Sequence, residues 1–123
     1  GANPTENHPV AATFFKQAAK RGAKIFVMDP RGHTLVRHAT RTLRFNPGRD
    51  VAMLNALLHT IIEEDLVDRQ FIDAWTEGFE ELKARVADSP PEKMQEVCGI
   101  PAETLREVAR LYARWQELSS LLS

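Results

Sequence analysis

Three short stretches hold residues whose types and spacing suit ligand binding. The first, at positions 1 to 8, offers Asn3, Glu6 and Asn7; the second offers Met28, Asp29 and Arg31; the third offers Pro47, Gly48 and Asp50. Asp29 and Asp50 are carboxylates, and a carboxylate can take two protons from one molecular edge, such as the ring and exocyclic N–H groups of a guanine. The Arg31 guanidinium can pair with a phosphate or stack on a base. Asn3, Glu6 and Asn7 supply side-chain hydrogen bonds, and Pro47-Gly48 lets a backbone approach closely. Each stretch also has a plainer explanation. Asp-Pro-Arg after a strand is an ordinary turn, Asp50 and Asn7 are good helix caps, and Gly48 can serve a turn alone.

Other chemistries lack their residues. There is no Gly-x-Gly-x-x-Gly turn and no Gly-Lys-Ser phosphate loop. His8, His33, His38 and His59 do not have the spacing of a helical metal pair, so they are expected to be solvated or packed. Glu63-Glu64-Asp65 reads as a solvated helix end, and Trp75 and Trp115 as core. Cys98 is the only cysteine. It is expected to be a small buried hydrophobe, and with no disulfide available a reducing, cytoplasmic compartment is expected. The 16 basic and 17 acidic side chains nearly cancel, which argues against nucleic acid as a partner. No apolar run approaches membrane-spanning length.

The elements that must position these loops follow from periodicity. Residues 8 to 21 place Val10, Phe14 and Ala18 on one helical face. Asn7 is the expected cap, Pro9 suits the first turn, and Gly22 suits the stop. Ile25 to Met28 is a continuous apolar run of the kind buried on both faces of a sheet, and Asp29-Pro30 ends it. Thr42 to Phe45 alternates as a half-buried or edge strand would. After the turn at positions 46 to 49, Asp50 is the expected cap of a helix with the stripe Val51, Leu54, Leu58, Ile61 and Ile62. Helices are expected over about 68–75, 77–86, 91–97 and from 101 onward, the last burying Leu105, Val108, Tyr112 and Trp115. The expected class is α/β, a Rossmann-like αβα unit with a small parallel sheet and a helical C-terminal half, within one domain over 1–123. In open α/β sheets ligands bind beyond the carboxyl ends of the strands, where the three loops lie by topology. So small a sheet normally has further strands beside it, and the chain opens without an initiator methionine, so it is expected to be a piece of a larger subunit.

Residues 1–10 (Gly-Ala-Asn-Pro-Thr-Glu-Asn-His-Pro-Val), 23–31 (Ala-Lys-Ile-Phe-Val-Met-Asp-Pro-Arg) and 47–56 (Pro-Gly-Arg-Asp-Val-Ala-Met-Leu-Asn-Ala) resemble three ordered motifs of the bacterial molybdopterin oxidoreductases. Within that family the sequence is most similar to formate dehydrogenase alpha subunits, through Glu77-Gly78-Phe79-Glu80, Pro91-Glu92-Lys93-Met94 and the stretch from Cys98 to Arg106. The resemblance covers roughly positions 1 to 114. It departs at Arg49, where the family usually has a small hydroxyl residue or asparagine, at Pro101, which replaces a polar cap, and after Arg114.

The resemblance implies a Rossmann-like region that holds one of two molybdopterin guanine dinucleotides, with Asn3, Glu6, Asn7, Met28, Asp29, Arg31, Pro47, Gly48 and Asp50 as cofactor contacts. It implies a molybdenum enzyme that oxidises formate to carbon dioxide and passes electrons to an iron-sulfur cluster. The metal ligand, the neighbouring catalytic groups and the cluster cysteines belong to segments outside this stretch. No catalytic or metal-binding residue is therefore expected here, and no cofactor is expected to be retained by the fragment alone. The implied partners are the remainder of the subunit and electron-transfer subunits, and self-association through uncovered apolar surface is expected. Two other functions fit the same residues: a stand-alone nucleotide-binding or assembly module, and a segment of another molybdopterin oxidoreductase such as a nitrate reductase.

Overall fold

The computed structural model describes residues 3–32 and 34–120, with side chains through Arg114. The expectations for His33 and for the Trp115 side chain lie outside the described residues. The chain forms two compact units, Gly1–Pro47 and Gly48–Ser123.

The first unit begins with a single helical turn, α1 (Pro4–Asn7), followed by α2 (Pro9–Lys20). Asn7 is not the cap of α2. Pro4 opens a turn early, the Asn7 amide donates to the Asn3 carbonyl at 2.9 Å, and His8 takes the cap position without a side-chain bond. The face expected to be buried is also different. Val10 and Phe14 are 74% and 64% exposed, while Ala12 is buried. A small side chain allows the helix to approach the 3-10 turn at Thr34–His38 closely, and both α1 and α2 pack there.

Strands β1 (Phe26–Met28) and β2 (Arg41–Leu43) pair in parallel, Val27 opposite Thr42. The α/β reading holds. Parallel pairing needs a crossover of a dozen or more residues, which residues 29–40 supply. β2 ends two residues before the stretch expected from alternation. β1 is not covered on both faces among the described residues: Val27 is buried, but Met28 is 37% exposed, because β2 is its only described neighbour. Ladder bonding runs one step past β1, where the Asp29 amide donates to the Leu43 carbonyl at 3.2 Å.

The second unit is helical: α3 (Asp50–Glu63), α4 (Arg69–Trp75), α5 (Phe79–Val86), α6 (Pro91–Cys98) and α7 (Ala102–Ser120). Helix α3 packs against α5, α6 and α7. It buries Met53, Ala56, Leu57 and Thr60, and leaves Val51 and Leu54 exposed. The expected stripe is therefore rotated. Apolar residues surround most of α3, so periodicity admits more than one face, and the three packing helices select one. Thr60 tolerates burial because its hydroxyl donates to the Ala56 carbonyl at 3.0 Å. In α7, Leu105 and Val108 are buried as expected. Tyr112 is 53% exposed, and Ala109 and Ala113 fill the seam instead. Trp75 is 78% exposed rather than core.

Two helix starts are capped by side chains, while α1, α2, α3, α5 and α6 begin without a side-chain cap. The Asp68 carboxylate accepts from the Phe71 amide at 2.9 Å and caps α4. At the start of α7, Pro101 offers no capping side chain, and Gln95 of α6 substitutes by accepting from the Ala102 amide at 3.1 Å. His59 ties α3 to the end of α5: its Nδ1 meets the Val86 carbonyl at 2.9 Å, an acceptor-only partner, so Nδ1 donates. Cys98 is fully buried, as expected of a small hydrophobe. Among the described residues no helix is long and apolar enough to cross a membrane.

Candidate functional site

The turn after β1 is organised by Asp29. Its carboxylate is buried, 3% exposed, and Oδ1 accepts from the Arg31 amide at 2.7 Å and the Gly32 amide at 3.1 Å. Two backbone donors on one carboxylate oxygen fix the turn. The Arg31 side chain then projects outward with 73% exposure, its Nε 4.0 Å from the same Oδ1. Met28, the last residue of β1, is partly exposed beside this turn.

The α1 loop is built differently. Asn3 is buried, and its Oδ1 accepts from the Thr5 hydroxyl at 2.5 Å. Its backbone carbonyl accepts from the Glu6 amide at 3.1 Å and the Asn7 amide at 2.9 Å. Asn3 is thus the organiser of that turn, whereas Glu6 and Asn7 present their side chains to solvent.

Pro47 closes the first unit, and Gly48 opens the second. Gly48 adopts a φ of 74°, a left-handed conformation that glycine enters without penalty, and the space where a Cβ would stand is open. Asp50 is not the cap of α3. Arg49 occupies that position without any side-chain bond, and Asp50 is the first helical residue, exposed, where its charge suits the positive end of the helix. The departure at Arg49 thus leaves the helix entry without a polar cap.

Arg44 was not singled out from the sequence. It follows β2 directly, and its Nε donates to the Pro30 carbonyl at 3.1 Å, at the same turn that Asp29 organises. One signal could have found it. Near-neutral overall charge hides a segregation: residues 1–47 carry eight basic and two acidic side chains, and residues 48–123 carry eight basic and fifteen acidic. The strand-bearing unit is strongly cationic.

The sequence matches the model of the molybdopterin oxidoreductase family over residues 1–88. It is 40% identical over 114 residues to formate dehydrogenase H of Escherichia coli, covering 93% of this chain and 16% of that protein. It is 38% identical over 119 residues to the F420-dependent formate dehydrogenase subunit alpha of Methanocaldococcus jannaschii, covering 97% of this chain and 18% of the relative. Among solved structures, acetylene hydratase from Pelobacter acetylenicus superposes with a TM-score of 0.76 at 38% identity, over 85% of this chain and 15% of that one. The chain therefore spans about a sixth of the length of these relatives. With most of its length inside the family match, and with relatives of this identity along nearly all of it, the chain belongs to the molybdopterin oxidoreductase family.

Proposed function

We propose that this chain is the part of a molybdenum-dependent formate dehydrogenase alpha subunit that grips one guanine dinucleotide arm of the molybdopterin cofactor. The observation that carries the reading is the turn at the carboxyl end of β1, where a buried aspartate fixes the backbone from which an exposed arginine projects, within a cationic unit. That donor and acceptor set suits a nucleotide: a carboxylate for the guanine edge and a guanidinium for phosphate. When bound, the cofactor supplies the redox chemistry, and the protein supplies position and electrostatics.

In this reading Asp29 serves twice, organising its own turn and facing the guanine. Arg31 and Met28 flank the nucleotide, and Asn3 shapes the α1 loop that presents Glu6 and Asn7. Pro47, Gly48 and Asp50 enter as contacts through the family resemblance. The iron-sulfur cluster, the metal ligand and formate itself belong to the rest of the subunit, and electrons leave through partner subunits. The substrate is the less constrained half of the proposal. A solved relative of the same identity as the formate dehydrogenases is an acetylene hydratase, so these loops do not discriminate substrates.

Calorimetric titration of the 123-residue chain with guanosine diphosphate and adenosine diphosphate tests the reading. Asp29→Asn is the informative variant, because the carboxamide keeps an acceptor for the Arg31 and Gly32 amides while losing the charge that matches two guanine donors. Guanine-selective binding weakened about tenfold in Asp29→Asn and in Asp50→Ala is expected, the scale of a lost charge-assisted hydrogen bond. Equal response to both nucleotides, or no response, would sink it.

A further inference from the structure

We propose that Arg44 is a phosphate-binding residue that works with Arg31 as a two-guanidinium clamp for the diphosphate of a bound nucleotide. This deepens the cofactor-arm reading and rests on it for the identity of the nucleotide. Arg44 lies outside the three motifs on which the family resemblance stands, so it is assigned from its place in the fold.

Three observations carry it. First, the parallel register puts Met28 opposite Leu43, and the Asp29 amide still bonds the Leu43 carbonyl at 3.2 Å. Arg44 therefore leaves β2 alongside the Asp29 turn, at the strand ends where open α/β sheets bind ligands. Second, the Nε of Arg44 is anchored on the Pro30 carbonyl at 3.1 Å, while its two terminal nitrogens make no hydrogen bond among the described residues. Anchoring by Nε restricts the side chain and leaves the paired N–H fork that matches two phosphate oxygens. Third, both arginines meet the one turn, Arg31 beside Asp29 and Arg44 at the Pro30 carbonyl, in a unit whose only acidic residues are Glu6 and Asp29 against eight basic ones. The local excess of positive charge faces solvent, since both arginines are exposed. A phosphoryl-bearing anion balances it, and a diphosphate offers one group to each guanidinium.

Lysine would not serve equally. An ammonium cannot hold the Pro30 carbonyl and present a planar fork at the same time. Glutamine, by contrast, can keep a donor for Pro30 while removing the charge.

Titration of the full 123-residue chain with inorganic pyrophosphate is the test, with Arg44→Gln and Arg44→Lys beside the wild type. Wild-type binding that weakens as salt is added is expected, with loss of about tenfold or more in Arg44→Gln and a smaller loss in Arg44→Lys. Unchanged circular dichroism and melting in Arg44→Gln would show that the loss is not one of folding. Should Arg44→Gln melt early, Arg44→Lys carries the test by the same pyrophosphate affinity. Pyrophosphate affinity equal to wild type in both variants, or no pyrophosphate binding by the wild type, overturns the clamp. The cofactor-arm reading fails separately: equal binding of guanosine and adenosine diphosphates with intact Arg44 dependence would keep the clamp and remove the guanine assignment.

Discussion

Arg110 closes a two-pronged ion pair on Glu64, Nε to Oε2 at 2.7 Å and Nη2 to Oε1 at 2.8 Å, across 46 residues of sequence. The pair joins the end of α3 to α7 and lies beside Arg106, whose own Nη2 reaches Glu92 of α6 at 2.9 Å. The Arg110 hydrogen bond holds the Glu64 carboxyl below its ordinary value of 4.5. Partial burial works against this, and the charges of Arg110 and Arg106 reinforce it. A depressed carboxylate contributes stability that is complete above its unfolded pKa and disappears as pH falls through the folded one. Chemical denaturation of wild type and Glu64→Gln should therefore show a stability gap at neutral pH that closes below pH 4.5. A gap that stays constant into acid would mean the ion pair contributes nothing.

Leu105 is fully buried in the first turn of α7. Leu105→Ala removes its packing and leaves a cavity, so a loss of about 2–5 kcal/mol is expected. Urea unfolding should show the midpoint falling with little change in slope. A loss below about 1 kcal/mol would indicate a site that collapses around the smaller side chain.

Gly48 has open space where a Cβ would stand, so any cost of Gly48→Ala comes from its φ of 74° alone. A destabilisation of about 1 kcal/mol follows, the ordinary penalty for a left-handed alanine. Thermal melting reads it. A neutral substitution would mean that the turn relaxes to a right-handed form.

Val10 and Phe14 on α2, and Phe71 and Trp75 on α4, are all more than half exposed. Apolar surface of this kind drives association. Sedimentation velocity of the 123-residue chain should show concentration-dependent growth, reduced in Phe14→Ser and Trp75→Ser. A single monomer boundary across concentration would contradict it.

Local structure was legible where a side chain acts on its own backbone. Gly22 follows α2 in the expected left-handed conformation, Gly48 makes its turn and Asp29 ends β1, each through local geometry, although Asn7 and Asp50 are not the caps their types suggest. These interactions depend on sequence neighbours, which the sequence displays in order. The same holds for the class of the fold, since a crossover of residues 29–40 between an apolar run and an alternating stretch leaves parallel pairing as the simple arrangement.

Which helical face would be buried was not legible. In α3, residues such as Val51 and Leu54 fit the period as well as Met53 and Leu57, and only the arrival of α5, α6 and α7 decides between them. In α7 the seam ran to Ala109 and Ala113 rather than Tyr112, because close helix approach rewards small side chains there.

The chain's own order of residues therefore determined the α/β class, the turns at Gly22, Asp29 and Gly48, and the motif loops that mark the family. Tertiary structure decided that Asp29 is a buried turn organiser, that Arg31 faces outward, and that Arg44 shares its turn. The physical reason is range. Capping and turn bonds span a few residues of one chain segment, whereas the Arg44 to Pro30 contact exists only because two strands 15 residues apart in sequence pair in parallel register.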